Sequence, residues 1–220
     1  MKGFYLINMK AEMERVLRPK EQARKSYNAM ARWYDLFTDS EKRFTDIGIQ
    51  MLNLQPNESV LEIGSGTGHA LIEFVDKSKI VYAMDLSEKM LITARNRIQG
   101  RNVGLCQADG LFAPFSNGQF DCVFISFTLE LFDTPEIPHV LNEIYRILTQ
   151  GGRLGVVSLV KQEKSAVRIY EWFHRQMPTL VDCRPIYLQP PIKEANFQIQ
   201  ESTVKTMWGL PVEIVVAHKS

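Results

Sequence analysis

The chain has 220 residues, of which 45% are hydrophobic and 23% charged, and its formal net charge is +1. These values are typical of one globular domain and argue against a disordered chain or a strongly basic nucleic-acid-binding protein. Three cysteines, Cys106, Cys122 and Cys183, do not have the number or spacing of a disulfide framework or a zinc site, which predicts reduced thiols in the cytoplasm. No stretch approaches the roughly 20 apolar residues of a membrane span, and the N-terminal apolar run is too short for a secretory signal.

The first part of the chain predicts helices. Apolar residues recur at helical spacing from Met9 to Leu17, and Pro19 separates that stretch from a second, aromatic-rich one over 20–37. A third run, from Glu41 to Leu54, ends before the turn at 55–57. We expect residues 1–57 to form a helical lid and substrate region.

From residue 60 the pattern changes to alternating strands and helices. Apolar segments predict five strands, at 60–63, 80–84, 103–106, 120–126 and 154–160. Between them we expect a helix over 68–76, a helix capped by Ser87 with the stripe Met90, Leu91, Ala94 and Ile98, and a helix opened by Thr134 and Pro135 and closed by Gly151 and Gly152.

The last part of the chain differs again. A helix is expected over 163–175, a loop with four prolines over 176–195, and a hairpin of strands at 197–207 and 212–217. Alternating strands and helices predict an α/β fold, a parallel sheet with helices on both faces. We expect one domain, residues 1–220, with a ligand-binding core at 58–160 and a substrate insertion and closing hairpin at 161–220.

The segment from Val60 to Gly68 runs from a strand to a helix through Gly64, Gly66 and Gly68. Glycines at alternate positions permit backbone angles and close approaches that side chains would block. The turn therefore exposes backbone N–H groups beside a helix N-terminus, at the edge of the sheet where α/β folds bind ligands. A simple tight connection remains the alternative.

Two acids follow the next two strands. Asp85 ends the second strand, 21 residues after Gly64, where a carboxylate can accept hydrogen bonds from both ribose hydroxyls of an adenosine. Its alternative role is to cap the next helix, but Ser87 is available for that. After the third strand, the Asp109 carboxylate can accept a hydrogen bond from the amino group of adenine, while the backbone of Gly110 binds a ring nitrogen. The alternative is an ordinary turn, because Asp-Gly is a common turn dipeptide.

A nicotinamide dinucleotide site is a weaker interpretation of the same turn. The third glycine of the dinucleotide fingerprint is replaced by His69. No Arg or Lys lies within 60–76 to pair with a pyrophosphate.

The sequence resembles the class I S-adenosylmethionine-dependent methyltransferases, in the branch of the ubiquinone/menaquinone-biosynthesis C-methyltransferases and phospholipid N-methyltransferases. The matching blocks are 60–68, 84–87, 107–110, 120–131 and 148–154, with an aromatic segment at 26–35. Thr149 and Gln150 depart from the usual Leu-Lys-Pro-Gly-Gly pattern. The resemblance implies a Rossmann-like, doubly wound sheet of seven strands with an antiparallel last strand, in three α/β/α layers with extra N-terminal helices.

By that resemblance the cofactor is S-adenosyl-L-methionine. The backbone of Gly64, Ser65, Gly66 and Gly68 would face its methionine part, and Glu62 would orient it from beneath. Asp85 would bind the ribose, Leu86 and Met90 would flank the adenine, and Asp109 and Gly110 would bind it. The carbonyl of Ser126 would accept the methionine ammonium, and Tyr27 would contact the carboxylate from the lid.

The acceptor is the part of the reaction on which the sequence is least informative. Direct displacement of the methyl needs no metal, and the four histidines have no ligand spacing. Glu130 and Asp133 are considered as bases, but a solvated or structural role is preferred and no base is assigned. We expect a small-molecule or lipid acceptor, such as a quinone precursor or a phospholipid amine, and no nucleic-acid partner.

Two further expectations concern the surroundings of the site. Aromatic residues of the N-terminal helices and the 160–196 insertion could line the acceptor pocket, although core packing explains most of them as well. Residues 10–32 carry seven basic and three acidic residues, which permits weak peripheral contact with an anionic membrane, although a solvated helix face is the simpler interpretation. A non-catalytic adenosyl-binding protein is the main functional alternative.

Overall fold

The structure, a computed structural model, describes residues 34–162, 170 and 183–220. The helices are α1 (Tyr34–Leu52), α2 (His69–Lys77), α3 (Glu88–Ile98), α4 (Ile137–Ile147) and α5 (Gln189–Glu194). The strands are β1 (Ser59–Ile63), β2 (Ile80–Asp85), β3 (Val103–Gln107), β4 (Phe120–Ser126), β5 (Leu148–Leu159), β6 (Phe197–Met207) and β7 (Leu210–Lys219). One turn of 3-10 helix, Leu129–Leu131, follows β4.

The strands form a seven-stranded sheet in the order β3-β2-β1-β4-β5-β7-β6. Strands β1 to β5 are parallel, and β7 runs antiparallel between β5 and β6. The predicted seven-stranded, doubly wound fold with an antiparallel last strand is therefore confirmed. The strand order reverses between β1 and β4, and a crevice at the carboxyl ends of the strands around such a reversal is where α/β sheets bind ligands.

Alternate residues of the parallel strands point to opposite faces, and each face carries its own core. Leu61 and Ile63 of β1 pack in the core that contains α4 and α5, whereas Val60 packs in the core that contains α1, α2 and α3. The sheet is thus covered on both sides, which explains why its central strands are almost continuously apolar.

In the N-terminal region one prediction is wrong. The separation expected between the second and third helical stretches does not exist, because α1 runs without a break through residues 38–40. Residues such as those at 38–40 cost a helix only a few tenths of a kcal/mol each. Phe44, Ile49 and Leu52 of α1 pack against the sheet and outweigh that cost. The predicted helices before residue 34 lie outside the described residues.

The predicted bounds of the fourth helix are also wrong. Helix α4 begins at Ile137, with Pro138 in its first turn, because residues 133–136 form a turn in which the Asp133 carbonyl accepts from the N–H groups of Glu136 and Ile137. The helix ends at Ile147 rather than at the glycine pair, since Leu148 is already paired with Phe120 of β4.

Gly151 and Gly152 lie instead within the irregular first half of β5. There the pairing with β4 shifts register between the pairs Phe120–Leu148 and Cys122–Arg153. Gly151 has a φ of +75°, and a Cβ on Gly152 would lie 2.9 Å from the carbonyl oxygen of Thr149. The glycines therefore permit a bulge in the strand rather than a helix end.

The C-terminal part confirms the hairpin and corrects the loop. Trp208 and Gly209, with φ values of +51° and +84°, connect β6 and β7 as a two-residue turn. The predicted connection at 208–211 was too long, because Leu210 and Pro211 already pair with Met207 and Thr206. Within the stretch predicted as loop, 189–194 forms α5, whose two prolines occupy the first turn, where a helix tolerates them. The predicted helix at 163–175 lies, apart from residue 170, outside the described residues.

Candidate functional site

A cavity opens at the carboxyl ends of β1, β2, β3 and β4, at the strand-order reversal. Its walls come from the segments that follow these four strands, from α1 and from the start of α2. The wall contains Glu41, Lys42, Thr45, Glu62, Gly64, Ser65, Gly66, Thr67, His69, Met84, Asp85, Leu86, Met90, Ala108, Asp109, Gly110, Ser126, Phe127, Thr128, Leu131 and Phe132. Of the twelve residues predicted to bind the cofactor, ten line it.

The floor of the cavity is the glycine turn after β1. Gly64, Gly66 and Gly68 have φ values of +72°, +51° and +80°, in the left-handed region that favours glycine. A Cβ on Gly64 would lie 2.3 Å from the Thr128 side chain, and one on Gly68 would lie 2.9 Å from the Cβ of Ala94. Gly68 caps α2 and does not line the cavity, so it shapes the turn from behind.

Asp85 lies at the end of β2 and holds two neighbouring loops together. Its Oδ2 accepts the N–H of Gly66 at 2.9 Å, and its Oδ1 accepts the N–H of Ser87 at 2.8 Å. Ser87 itself caps α3 by accepting the N–H of Met90, as the sequence predicts. Burial raises the pKa of Asp85, and these two hydrogen bonds act in the opposite direction. Each carboxylate oxygen keeps acceptor capacity for a ligand in the cavity.

Two buried polar atoms in the cavity wall have no hydrogen-bond partner among the described residues. They are Oε2 of Glu62 and Oγ of Ser65. Burial, and after it the charge of Asp85, holds the pKa of Glu62 well above its ordinary range. An unpaired buried acceptor costs about 1–3 kcal/mol, so these atoms are suited to receive a hydrogen-bonding or cationic ligand.

The end of the cavity beside β3 is formed by residues that follow β2 and β3. Asp109 accepts the N–H of Leu111 through Oδ1 at 3.1 Å, and Gln107 donates to the Leu86 carbonyl at 3.1 Å. Met90 is buried in α3. A Cβ on Gly110 would lie 2.9 Å from the Phe132 ring, so this position leaves no space for a side chain.

The opposite end of the cavity lies beside β4 and α1. The Ser126 hydroxyl and the Thr45 hydroxyl are 2.8 Å apart, which joins α1 to the end of β4. The Ser126 carbonyl already accepts the hydroxyl of Thr128 at 2.9 Å, and its second lone pair is available to a ligand.

The sequence predicted that residues 1–57 contribute to the substrate region, but it did not identify which residues of α1 do so. Glu41, Lys42 and Thr45 line the cavity, and burial, followed by the charge of Glu130, raises the pKa of Glu41 to about 8. His69 also lines it, and its Nε2 lies 2.9 Å from Oδ1 of Asp46. The helical periodicity of α1 was the available signal for its buried face, but it contains no information about which strand end that face approaches.

Three other residues considered from the sequence either lie outside the described residues or do not line the cavity. Tyr27 lies outside the described residues. Glu130 is fully buried, accepts hydrogen bonds from the Ser158 hydroxyl and the Leu159 N–H, and has a structural role rather than a solvated one. Tyr187, one of the aromatics considered for the acceptor pocket, is 56% exposed and does not line the cavity.

Comparison with known proteins identifies the family. The model of a family described as a methyltransferase domain matches residues 60–152. The ubiquinone/menaquinone biosynthesis C-methyltransferase of Teredinibacter turnerae is 30% identical over 179 residues, which cover 74% of this chain and 67% of that protein. The chain belongs to the S-adenosylmethionine-dependent methyltransferases, in the branch of these relatives.

Further similarities agree with this methyltransferase assignment. The demethylmenaquinone methyltransferase of Lactobacillus johnsonii is 30% identical over 58% of this chain and 54% of that protein. The magnesium protoporphyrin IX methyltransferase of Synechocystis, solved with bound SAH, has the same fold: its TM-score is 0.75 at 17% identity, over 92% of this chain and all of that one.

The cavity of this methyltransferase fits its methyl donor, S-adenosylmethionine. The donor carries a cationic sulfonium, an ammonium group and ribose hydroxyls, and three of the wall residues predicted to bind it, Glu62, Asp85 and Asp109, supply carboxyl groups. The unpaired atoms of Glu62 and Ser65 match the hydrogen-bond donors of such a ligand. Within the described residues, no group of three His, Cys, Asp or Glu side chains could hold a metal ion, and no helix is long and apolar enough to cross a membrane.

Proposed function

We propose that this methyltransferase transfers a methyl group to a quinone-precursor ring, with a phospholipid amine or similar lipid or small molecule as the second candidate class. The similar proteins whose names specify ubiquinone/menaquinone biosynthesis and demethylmenaquinone support the first class. The observation that carries the methyl transfer itself is at the donor site: the left-handed glycine turn after β1 is hydrogen-bonded to Asp85 at the end of β2, beside the unpaired Oε2 of Glu62.

We assign the binding of the methyl donor along the sheet edge. The residues at the β3 end, Asp109 and Gly110 with Leu86 and Met90, take the adenine, and Asp85 takes the ribose. The backbone of Gly64, Ser65 and Gly66 takes the methionine part together with Glu62 beneath it and the carbonyl of Ser126, and Gly68, predicted to join them, only shapes the turn. Tyr27 is retained as a contact of the lid. This order leaves the β4 and α1 end of the cavity for the acceptor.

When bound, S-adenosylmethionine supplies an electrophilic methyl group on a sulfonium. The task of the protein is to align the acceptor with that methyl and to exclude water, since positioning and fixed electrostatics provide most of the acceleration. Phe127, a buried wall residue that directly follows β4, excludes water from that end, and the buried Phe132 does so beside Gly110. A cationic ligand favours the ionised form of the buried carboxyl groups of Glu62 and Asp85, and the opposite charges stabilise each other, because charges interact strongly where the effective dielectric constant is low.

The domain division and the surroundings of the enzyme are part of the same proposal. We assign residues 1–57 to the lid and acceptor region, 58–160 to the donor-binding core and 161–220 to the insertion and hairpin. A cytoplasmic location and a weak contact of 10–32 with an anionic membrane stay predictions, and 10–32 lies outside the described residues.

Replacement of Asp85 by asparagine tests the ribose assignment. The change removes the carboxylate charge, and charge-assisted hydrogen bonds contribute about 1.5–3 kcal/mol each, so the affinity for S-adenosylmethionine is expected to fall at least about tenfold. Calorimetric titration measures it, with Asp76→Asn as the matched control on an exposed ion pair. An unchanged affinity in Asp85→Asn contradicts the assignment of Asp85.

The activity itself is tested with methyl-labelled S-adenosylmethionine. The wild-type protein is incubated with a short-chain demethylmenaquinone reduced to its quinol, or with vesicles that contain phosphatidylethanolamine, and the products are analysed by mass spectrometry. We expect label in the quinol ring. A wild-type protein that binds no S-adenosylmethionine contradicts the proposed function as a whole.

A further inference from the structure

Glu41 is a cavity residue to which the assigned donor site gives no role. It lies on α1, one helical turn before Thr45. The Thr45 hydroxyl donates to the carbonyl of Glu41 at 3.2 Å and meets the Ser126 hydroxyl at 2.8 Å. This link holds the turn of α1 that carries Glu41 against the end of β4. Glu41 therefore lines the cavity from the side opposite the residues that follow β3.

A second carboxyl group lies behind this wall and acts on Glu41. Glu130 is completely buried in the turn after β4, and the Ser158 hydroxyl and the Leu159 N–H hold its carboxylate at 3.0 and 3.2 Å. Burial, and after it the charge of Glu130, raises the pKa of Glu41 to about 8. Burial likewise raises the pKa of Glu130 to about 7, against the hydrogen bonds and the charge of Arg184. Other charged groups of the wall are Lys42, Glu62, His69, Asp85 and Asp109.

We propose that Glu41 is the general base of the reaction, which takes the hydroxyl proton of the quinol acceptor. This inference rests on the proposed function, because it uses the β4 and α1 end of the cavity as the acceptor site. An aromatic ring with a hydroxyl group becomes a strong nucleophile when it loses the hydroxyl proton. Glu41 is placed to take that proton. The charge of Glu130, whose carboxylate is held by its own hydrogen bonds, increases the proton affinity of Glu41.

Proton transfer to Glu41 precedes methyl transfer to the acceptor. The hydroxyl proton of the acceptor passes to a carboxylate oxygen of Glu41, and the electron pair of the broken O–H bond stays with the acceptor. The acceptor atom made electron-rich by that pair forms a bond to the methyl carbon. The bond between the methyl carbon and sulfur breaks, and its electron pair leaves with sulfur. The hydrogen of the methylated ring carbon then leaves as a proton to water, and the electron pair of that C–H bond restores the aromatic ring. Glu41 returns its proton to the ring oxygen, so one proton is released for each methyl group transferred.

The test compares Glu41→Gln and Glu41→Asp with wild type, using the same quinol. A positioned base contributes about 10²–10⁴-fold, so Glu41→Gln is expected to lose at least about 100-fold in kcat. Its affinity for S-adenosylmethionine should stay within about twofold of wild type, and Glu41→Asp should recover part of the rate. Glu201→Gln, an exposed glutamate on β6, is the matched control and should behave like wild type.

The pH profile separates a base from a residue that only supports the fold. In wild type kcat should rise with pH through a midpoint near pH 8, the pKa of the Glu41 carboxyl being about 8, and should level off above it. In Glu41→Gln this rising limb of the profile, the increase of kcat with pH, should be absent. Glu130→Gln should move it to lower pH, because it removes a like charge.

Each outcome decides between the two proposals. No binding of S-adenosylmethionine by wild type contradicts the proposed function. Binding without methylation of the quinol contradicts the acceptor class and with it the inference. Methylation of the quinol by Glu41→Gln within about threefold of wild type, or a pH limb that persists in that variant, overturns Glu41 as the base while the proposed function stands.

Discussion

Gly64 illustrates how single residues shape the cavity. Its amide donates to the Met84 carbonyl at 2.8 Å, which ties the turn after β1 to the end of β2. Its φ of +72° is unfavourable for residues with a Cβ, and a Cβ there would lie 2.3 Å from the methyl and hydroxyl groups of Thr128. The position therefore excludes side chains for two independent reasons, backbone conformation and space.

Gly64→Ala separates these two reasons when it is compared with Gly100→Ala. Gly100 has a φ of +77° and has no atom within 4 Å of its Cβ position. Gly100→Ala should cost about 1–2 kcal/mol of unfolding free energy from the backbone alone. Gly64→Ala should cost more and should also weaken S-adenosylmethionine binding, as measured by denaturation and calorimetry. Equal losses in the two variants would show that the collision with Thr128 is relieved.

Most of the proposed donor-binding residues could be predicted, because each follows a strand directly in the sequence. Gly64, Asp85 and Asp109 stand at strand ends, and parallel strands bring such positions to one edge of a sheet. Glu41 could not be predicted in the same way. It lies in the middle of a helix, and its contact with the cavity depends on a hydroxyl pair between residues 81 positions apart.

At the scale of elements, Arg153 joins the start of β1 to the middle of β5. Its guanidinium donates to both carboxylate oxygens of Glu58, at 2.9 and 2.6 Å, and to the carbonyls of Leu52 and Asn53 that end α1. Burial acts to raise the pKa of Glu58, but the hydrogen bonds from Arg153 and Gln55 and the charge of Arg153 hold it below its ordinary value. This clamp sets where α1 ends and β1 begins.

Arg153→Lys tests the clamp. A lysine ammonium cannot reproduce the planar fork that reaches four acceptors, so the expected loss is about 1–3 kcal/mol of unfolding free energy. Arg101→Lys serves as the control, since Arg101 and Asp76 form an exposed pair, and such pairs contribute about 1 kcal/mol or less. Urea denaturation of both variants measures the difference. A loss in Arg153→Lys no larger than in Arg101→Lys contradicts the clamp.

Elements whose limits depend on local chemistry were predicted well. Ser87 caps α3, and the hairpin turn lies at Trp208 and Gly209, within the predicted connection 208–211, because capping and left-handed turn residues act within a few positions. The limits of α4 and β5 were predicted wrongly. Leu148 pairs with Phe120, a residue of another strand, and the helix therefore ends before it.

At the scale of the whole molecule, buried carboxyl groups make stability depend on pH. The pKa values of Glu62 and Asp85 are raised, and those of Glu41 and Glu130 are raised to about 8 and about 7. Between the ordinary glutamate pKa of 4.5 and these values, the folded protein binds more protons than the unfolded chain. The unfolding free energy therefore falls as pH rises through this window.

The melting temperature without ligand should accordingly decrease from about pH 5 to about pH 8. Glu41→Gln and Glu130→Gln should each reduce that decrease, because the neutral amide does not ionise, whereas the exposed Glu201→Gln should leave it unchanged. Thermal unfolding followed by circular dichroism over this range makes the comparison. A melting temperature that rises across the window would contradict the assignment of raised pKa values to these buried groups.

The sequence by itself determined the strand–turn–helix order, the glycine turn, the acids at the ends of β2 and β3 and the family to which these belong. Those features are local, because periodicity, capping and left-handed backbone angles depend on neighbouring residues. The tertiary structure alone decided that β7 inserts between β5 and β6, that Arg153 closes onto Glu58, and that α1 brings Glu41 to the cavity. These features join residues far apart in the chain, and their pairing follows from the packing of whole elements, which no short stretch of sequence specifies.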